Sequence, residues 1–156
     1  MTELLQPSAV DLLDVASHHG RVATLARTVA ESDVYLFAGI TGDLASYHVN
    51  HAAMKDTVYG GRIAHGVLLL GLVSAASSLY WSDVKAEGMT VSYGYDRVRF
   101  VGAVAIGETV EVTYRVTGSD RAKSLVHSTA TITNEAGGTV LSAVHLTKVR
   151  PFTPAE

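Results

Sequence analysis

In the stretch TGDLASYHVNH, residues 41–51, one acid and two histidines follow a glycine. Asp43 and His48 are the pair with chemical reach. A carboxylate beside an imidazole can hold the ring in one tautomer, and the two can share a water, one accepting a proton while the other donates. Their spacing sets a condition. On a continuous helix five residues turn the side chains ~140° apart, onto different faces. The two meet only if the chain turns between them, and Gly42 permits an unusual backbone there. The same residues have a plainer reading, in which Asp43 is the N-cap of a helix LASYHVNHAAM and His48 is a partly buried surface histidine. A shared metal on His48 and His51 lacks a further Cys or Glu at zinc-like spacing, so no metal is expected.

The second element is GGRIAHG, residues 60–66, where an apolar helix begins. The first turn of a helix has free backbone N–H groups and a partial positive charge. A glycine lets a ligand approach that backbone closely, so the Gly66 N–H is a candidate donor to a developing oxyanion. Alternatively, Gly66 serves only to avoid a packing clash.

These residues need elements to hold them. Residues 63–81, IAHGVLLLGLVSAASSLYW, contain no Lys, Arg, Asp or Glu. That length could cross a bilayer. The Gly and Ser content, His65 and the lack of a second such segment point instead to a helix apolar on all sides because it is buried on all sides. Before it, residues 21–30 suit a strand. A helix is expected from ESDVYLFAGITG, with Ser32 as cap, Asp33 in the first turn and Gly42 at its end. After it, four segments alternate as strands do. The clearest, ETVEVTYRVTG, puts Val110, Val112, Tyr114 and Val116 on one face and Glu111, Thr113 and Arg115 on the other. Turns are expected near Gly107, at residues 118–120 and at residues 134–138, and such short joints favour antiparallel neighbours. The expected class is α+β, a strongly curved antiparallel sheet wrapped around the long central helix.

The bulk composition agrees with one domain. The chain has 156 residues, 47% hydrophobic and 17% charged, which suits a single packed domain rather than disorder. A net charge of −3 argues against general nucleic-acid binding, and the absence of cysteine removes disulfides and thiolate chemistry. No signal peptide is evident at the N-terminus, and a cytoplasmic location is expected. The layout expected is an extension over 1–20, one domain over 21–150 and a tail over 151–156.

Together these pieces resemble the MaoC-like (R)-specific enoyl-CoA hydratases, a hot-dog-fold family. The resemblance runs from about Arg21 to Val149 and rests on Thr41-Gly42-Asp43, on His48 at the right spacing, and on Ile63-Ala64-His65-Gly66. YDRVRFVGAVAIGETVEVTYRV also looks like the strands that follow in the family. The resemblance implies a single hot-dog fold. It implies that Asp43 and His48 bind and activate water and that Gly66 donates its backbone N–H to a thioester carbonyl. It further implies an acyl-CoA substrate, a homodimer or higher homo-oligomer, and no metal or redox cofactor. The chain departs from the family where Ala45-Ser46 replaces Asn-Pro and where Tyr47 replaces a small aliphatic residue. Ser46 or Tyr47 is expected to supply the lost polarity or to shape the pocket for an unusual acyl group.

The expected activity is reversible hydration of a trans-2-enoyl-CoA to the (R)-3-hydroxyacyl-CoA. Two rivals are a hot-dog acyl-CoA thioesterase and a non-catalytic acyl-CoA-binding or partner subunit. Beyond the catalytic set, Ser46, Tyr47, His65, Arg97 and Lys123 are the substrate-binding candidates, with Arg97, Arg99, Arg121 and Lys123 placed to meet CoA phosphates. Solvated strand ends are the plainer reading of these cations. Tyr47, Tyr59, Tyr93 and Tyr95 could shape a short or polar pocket, or pack the core. His18 and His19 lie in a polar start, and His127 and His145 read as structural residues within strands.

Overall fold

The computed structural model describes residues 11–82, 84 and 88–152; the outer parts of the expected extension and tail, residues 1–10 and 153–156, lie outside that range. After a 3-10 turn at Val15–His18 come β1 (Ala23–Thr28), α1 (Glu31–Thr41), two single-turn helices α2 (Ser46–Val49) and α3 (His51–Met54), and α4 (Gly66–Ser82). Four long strands follow: β2 (Met89–Phe100), β3 (Thr109–Asp120), β4 (Leu125–Asn134) and β5 (Thr139–Arg150). All five strands join one antiparallel sheet in the order β1-β3-β4-β5-β2.

The alternation in β3 is realised as read. Val110, Val112, Tyr114 and Val116 are buried and face α4, while Glu111 and Arg115 are exposed. Short joints make β3, β4 and β5 consecutive neighbours. The turn expected at 118–120 lies further on, at residues 121–124, because β3 continues past a bulge between Val116 and Gly118. Strand β2 breaks the neighbour rule. It pairs with β5, so the segment at 101–108 crosses to β3 on the far side of β4 and β5. On its way it hydrogen-bonds the approach to α4, with Ala64 N–H donating to Val104 O (2.8 Å) and Ile106 N–H to Arg62 O (3.4 Å).

Helix α4 lies across the sheet and touches all five strands. It is buried on one face only, through Leu69, Val73, Ala76, Ser77 and Tyr80, not on all sides as its composition suggested. Burying a Leu or Val side chain contributes about 1.5–3 kcal/mol, so this face anchors the helix. The opposite face, Val67, Gly71, Ser74 and Ser78, is exposed, as is most of the outer surface of β2. An apolar all-round helix can thus be half-covered by its own sheet. No helix is long and apolar enough to cross a membrane among the described residues.

Two polar links cross the core. Ser77 Oγ donates to Tyr114 Oη (3.1 Å), which donates to His145 Nδ1 (3.0 Å), leaving Nε2–H to donate to Ser92 Oγ (2.9 Å). This chain ties α4, β3, β5 and β2 together and satisfies groups whose burial would otherwise cost free energy. His18 is buried rather than at a polar surface; its Nδ1 accepts from Tyr80 Oη (3.1 Å), and its Nε2 lies 3.3 Å from Leu12 O.

Candidate active site

Helix α1 starts at Glu31 with Ala30 as its N-cap, rather than with a Ser32 cap. Asp33, in the first turn, accepts the Ala30 N–H through Oδ2 (2.9 Å), which satisfies one of the donors a helix start leaves open. The helix ends where Gly42 adopts φ +78°, a left-handed backbone that glycine takes without steric cost. Four non-helical residues then separate α1 from α2. Asp43 is not the cap of α2, whose N-cap is Ala45; its Oδ1 accepts from Ala45 N–H at 3.4 Å. This is the turn that the Asp43/His48 pair required.

The turn brings the pair together and adds a third member. Side-chain ligand atoms of Asp43, His48 and His65 all lie within 4.8 Å of one another. His48 is 4% exposed, and its Nδ1–H donates to Ile63 O (2.7 Å), so its Nε2 lone pair is the free one. His65 stacks on His48 with centroids 3.6 Å apart and planes 25° apart. Its Nε2–H donates to the backbone oxygen of Asp43 (3.0 Å). Burial is the main force holding His48 below its ordinary pKa; the Ile63 hydrogen bond opposes it, the adjacent His65 adds to it, and Asp43 opposes it. The neutral, proton-accepting form is therefore favoured.

The metal reading of His48 with His51 fails on position, since His51 is exposed in α3 and stands apart from the cleft.

These residues line a cleft of about 430 Å³ at the start of α4. Gly66 is the first residue of that helix, and its N–H has no acceptor among the described residues. It is also crowded: a Cβ there would sit 2.8 Å from Phe100 Cδ1, so the packing reason for a glycine is real. The bare Cα gives room beside Phe100, and the N–H stays open.

The substrate-binding candidates divide. Tyr47 and His65 line the cleft; the Tyr47 ring meets His48 edge-to-face with centroids 4.3 Å apart, and its backbone oxygen accepts from Ile63 N–H (3.0 Å). Ser46 is exposed and outside the lining. Arg97 also lies away from it, in the bulge of β2 with φ +53°. Lys123 sits in the β3–β4 turn, where its Nζ pairs with Asp120 (3.3 Å). Of the tyrosines, Tyr59 lines the cleft, whereas Tyr93 is exposed and Tyr95 stacks on His145. Sequence reasoning missed Phe37 and Phe100, the apolar walls. Phe100 arrives only through the β2 crossover, and nothing in its local spacing signals that.

The match to known proteins follows this geometry. The MaoC-like domain model matches residues 14–137. An (R)-specific enoyl-CoA hydratase of Rhodospirillum rubrum is 39% identical over 73% of this chain and 76% of its own length. The 3-hydroxyacyl-thioester dehydratase Z of Mycobacterium tuberculosis is 31% identical over 74% and 77%. Among solved structures, an R-hydratase of Pseudomonas aeruginosa superposes with TM-score 0.72 and 28% identity, covering 88% of this chain and 87% of that one. With this sheet order, this helix and these relatives, the chain belongs to the MaoC-like hydratase/dehydratase family, hydro-lyases of hot-dog fold.

Proposed function

We propose that the protein adds water reversibly across the double bond of a trans-2-enoyl-CoA, giving the (R)-3-hydroxyacyl-CoA. One observation carries this reading: a free helix-start N–H at Gly66 and an acid–imidazole pair share a single cleft. The thioester oxygen accepts from Gly66 N–H. Charge grows on that oxygen as water attacks the β carbon, so a fixed donor stabilises the transition state more than the bound substrate. Because Nδ1 of His48 is committed to Ile63 O, Nε2 is the atom that takes the proton from water. Asp43 accepts the second water hydrogen and aims the oxygen. The imidazolium then returns its proton to the α carbon, so one H and one OH are added and the enzyme is restored. No metal or redox cofactor enters these steps.

A second copy of the chain completes the reading. Strand β2 is a long sheet edge with Met89, Val91 and Tyr93 exposed, and the small-residue face of α4 is open. Edges of that kind are normally paired or covered, which supports a homodimer through β2. We place the enzyme in the cytoplasm, one of the compartments in which CoA thioesters are made and used.

The test is loss of the conjugated enoyl-thioester absorbance, with a thiol reagent in a parallel cuvette. Hydration consumes absorbance without releasing thiol. Thiol release would reassign the protein to the thioesterases, and binding without turnover would make it an acyl-CoA-binding subunit.

A further inference from the structure

We propose that His65 is the positioning residue of the pair, holding Asp43 by its backbone and His48 by its ring. The inference deepens the hydratase reading and rests on it for the activity affected. His65 is 2% exposed and immediately precedes α4. A carbonyl oxygen only accepts, so the 3.0 Å contact with Asp43 O requires the hydrogen on His65 Nε2. The other nitrogen, Nδ1, is buried without a partner among the described residues. No second hydrogen bond therefore competes for the ring, whose orientation is set by Asp43 O, by the stack on His48 and by Phe37 at 4.8 Å.

The consequence is a closed loop of constraints. His48 is pinned at Nδ1 by Ile63 O, two residues before His65, and on its face by the His65 ring. Asp43 is pinned at its carbonyl by the same His65. A single side chain at the helix start thus relates the acid, the base and the Gly66 N–H that follows it in sequence. Direct contact of His65 with substrate is not needed for any of this.

Two variants separate its two contacts. His65→Gln keeps a donor for Asp43 O and loses the ring; His65→Phe keeps a ring and loses the donor. Small misplacements of reacting groups cost about 10²-fold. His65→Phe is expected to lose about that much in kcat with KM little changed, and His65→Gln, which keeps the Asp43 contact but loses the stack on His48, to lose less. The titratable groups facing His48 are Asp43, His65 and Tyr47. Removing the His65 imidazole should therefore move the His48 titration upward in both variants, read by NMR of the imidazole nitrogens with no substrate present. The wild-type spectrum should show His48 protonated at Nδ1 and His65 at Nε2. An unmoved His48 titration, or an activity loss that is equal in both variants and tracks their loss in Tm, would overturn the proposal and leave His65 a packing residue. A wild type inactive on every enoyl-CoA would count against the hydratase reading alone, because the NMR titration still decides the role of His65.

Discussion

Gly66 and Phe100 are in contact across the mouth of the cleft so closely that a β-carbon on the glycine would come within 2.8 Å of the ring. The phenylalanine ring is 49% exposed, so it has room to turn away, at the expense of the cleft wall it forms. Gly66→Ala keeps the backbone N–H and changes only the room around it. We expect kcat/KM to fall about tenfold to a hundredfold through displacement of the substrate thioester, with little change in Tm. Gly66→Ala combined with Phe100→Leu should recover part of the loss. Failure of the double variant to improve on the single one would show that the glycine acts by some route other than the space it leaves.

His48 should govern the acid limb of activity. Its pKa lies below 6.5, chiefly through burial. Since the base form works, kcat/KM should be level above that value and fall as pH drops below it. Replacing His48 with Ala should remove the limb and cost about 10²–10⁴-fold. Asp43→Asn should cost a similar factor while leaving a His48-dependent limb in place, because the amide can still orient a water. An acid limb that survives in His48→Ala would reassign the base.

Local patterning made several of these elements readable. The period-two run in β3 could bury only one set of residues, and Gly42 and Gly66 mark a left-handed helix end and a crowded helix start. What the sequence left hidden depends on partners far along the chain. Short joints implied sequential neighbours, but β2 found its partner in β5, and that choice carries Phe100 to the cleft. Arg97 and Lys123 stand out by charge alone, and charge does not say which end of a strand faces a site. The stacking of His65 on His48 spans seventeen positions and emerges only when the α4 approach meets the turn after α1.

Acid should unfold this protein through its buried histidines. Burial pushes His145 from 6.5 down to about 4. The unfolded chain takes up that proton near 6.5 and the folded chain only near 4, so the stabilisation is full above 6.5 and is lost progressively towards 4. The loss from His145 is about 3 kcal/mol across the window. His18 and His48 are lowered too and add in the same direction. Asp11 and Asp120 are held below 3.8, so their contributions are lost only in more acid solution. Urea midpoints measured between pH 7.5 and pH 4.5 should fall steadily, and His145→Gln should flatten the slope. An equal slope in the variant would mean that His145 is not the group taking up the proton.

Tyr47 gives the last prediction, because it stands where the family resemblance breaks. Ser46 beside it faces solvent, so any polarity lost with the Asn-Pro pair is not replaced from there. The Tyr47 ring instead closes one side of the cleft and rests against His48. Replacing it with Val removes most of that wall while leaving the backbone bond from Ile63 N–H intact. The variant should then favour bulkier acyl groups. Relative kcat/KM for a medium or branched enoyl-CoA over a short one should rise about tenfold, in keeping with the 1–3 kcal/mol that a change in an apolar pocket confers. Loss of His48 support should lower turnover of the short substrate at the same time. A uniform loss across all chain lengths would mean that Tyr47 orients His48 and does not set the width of the pocket.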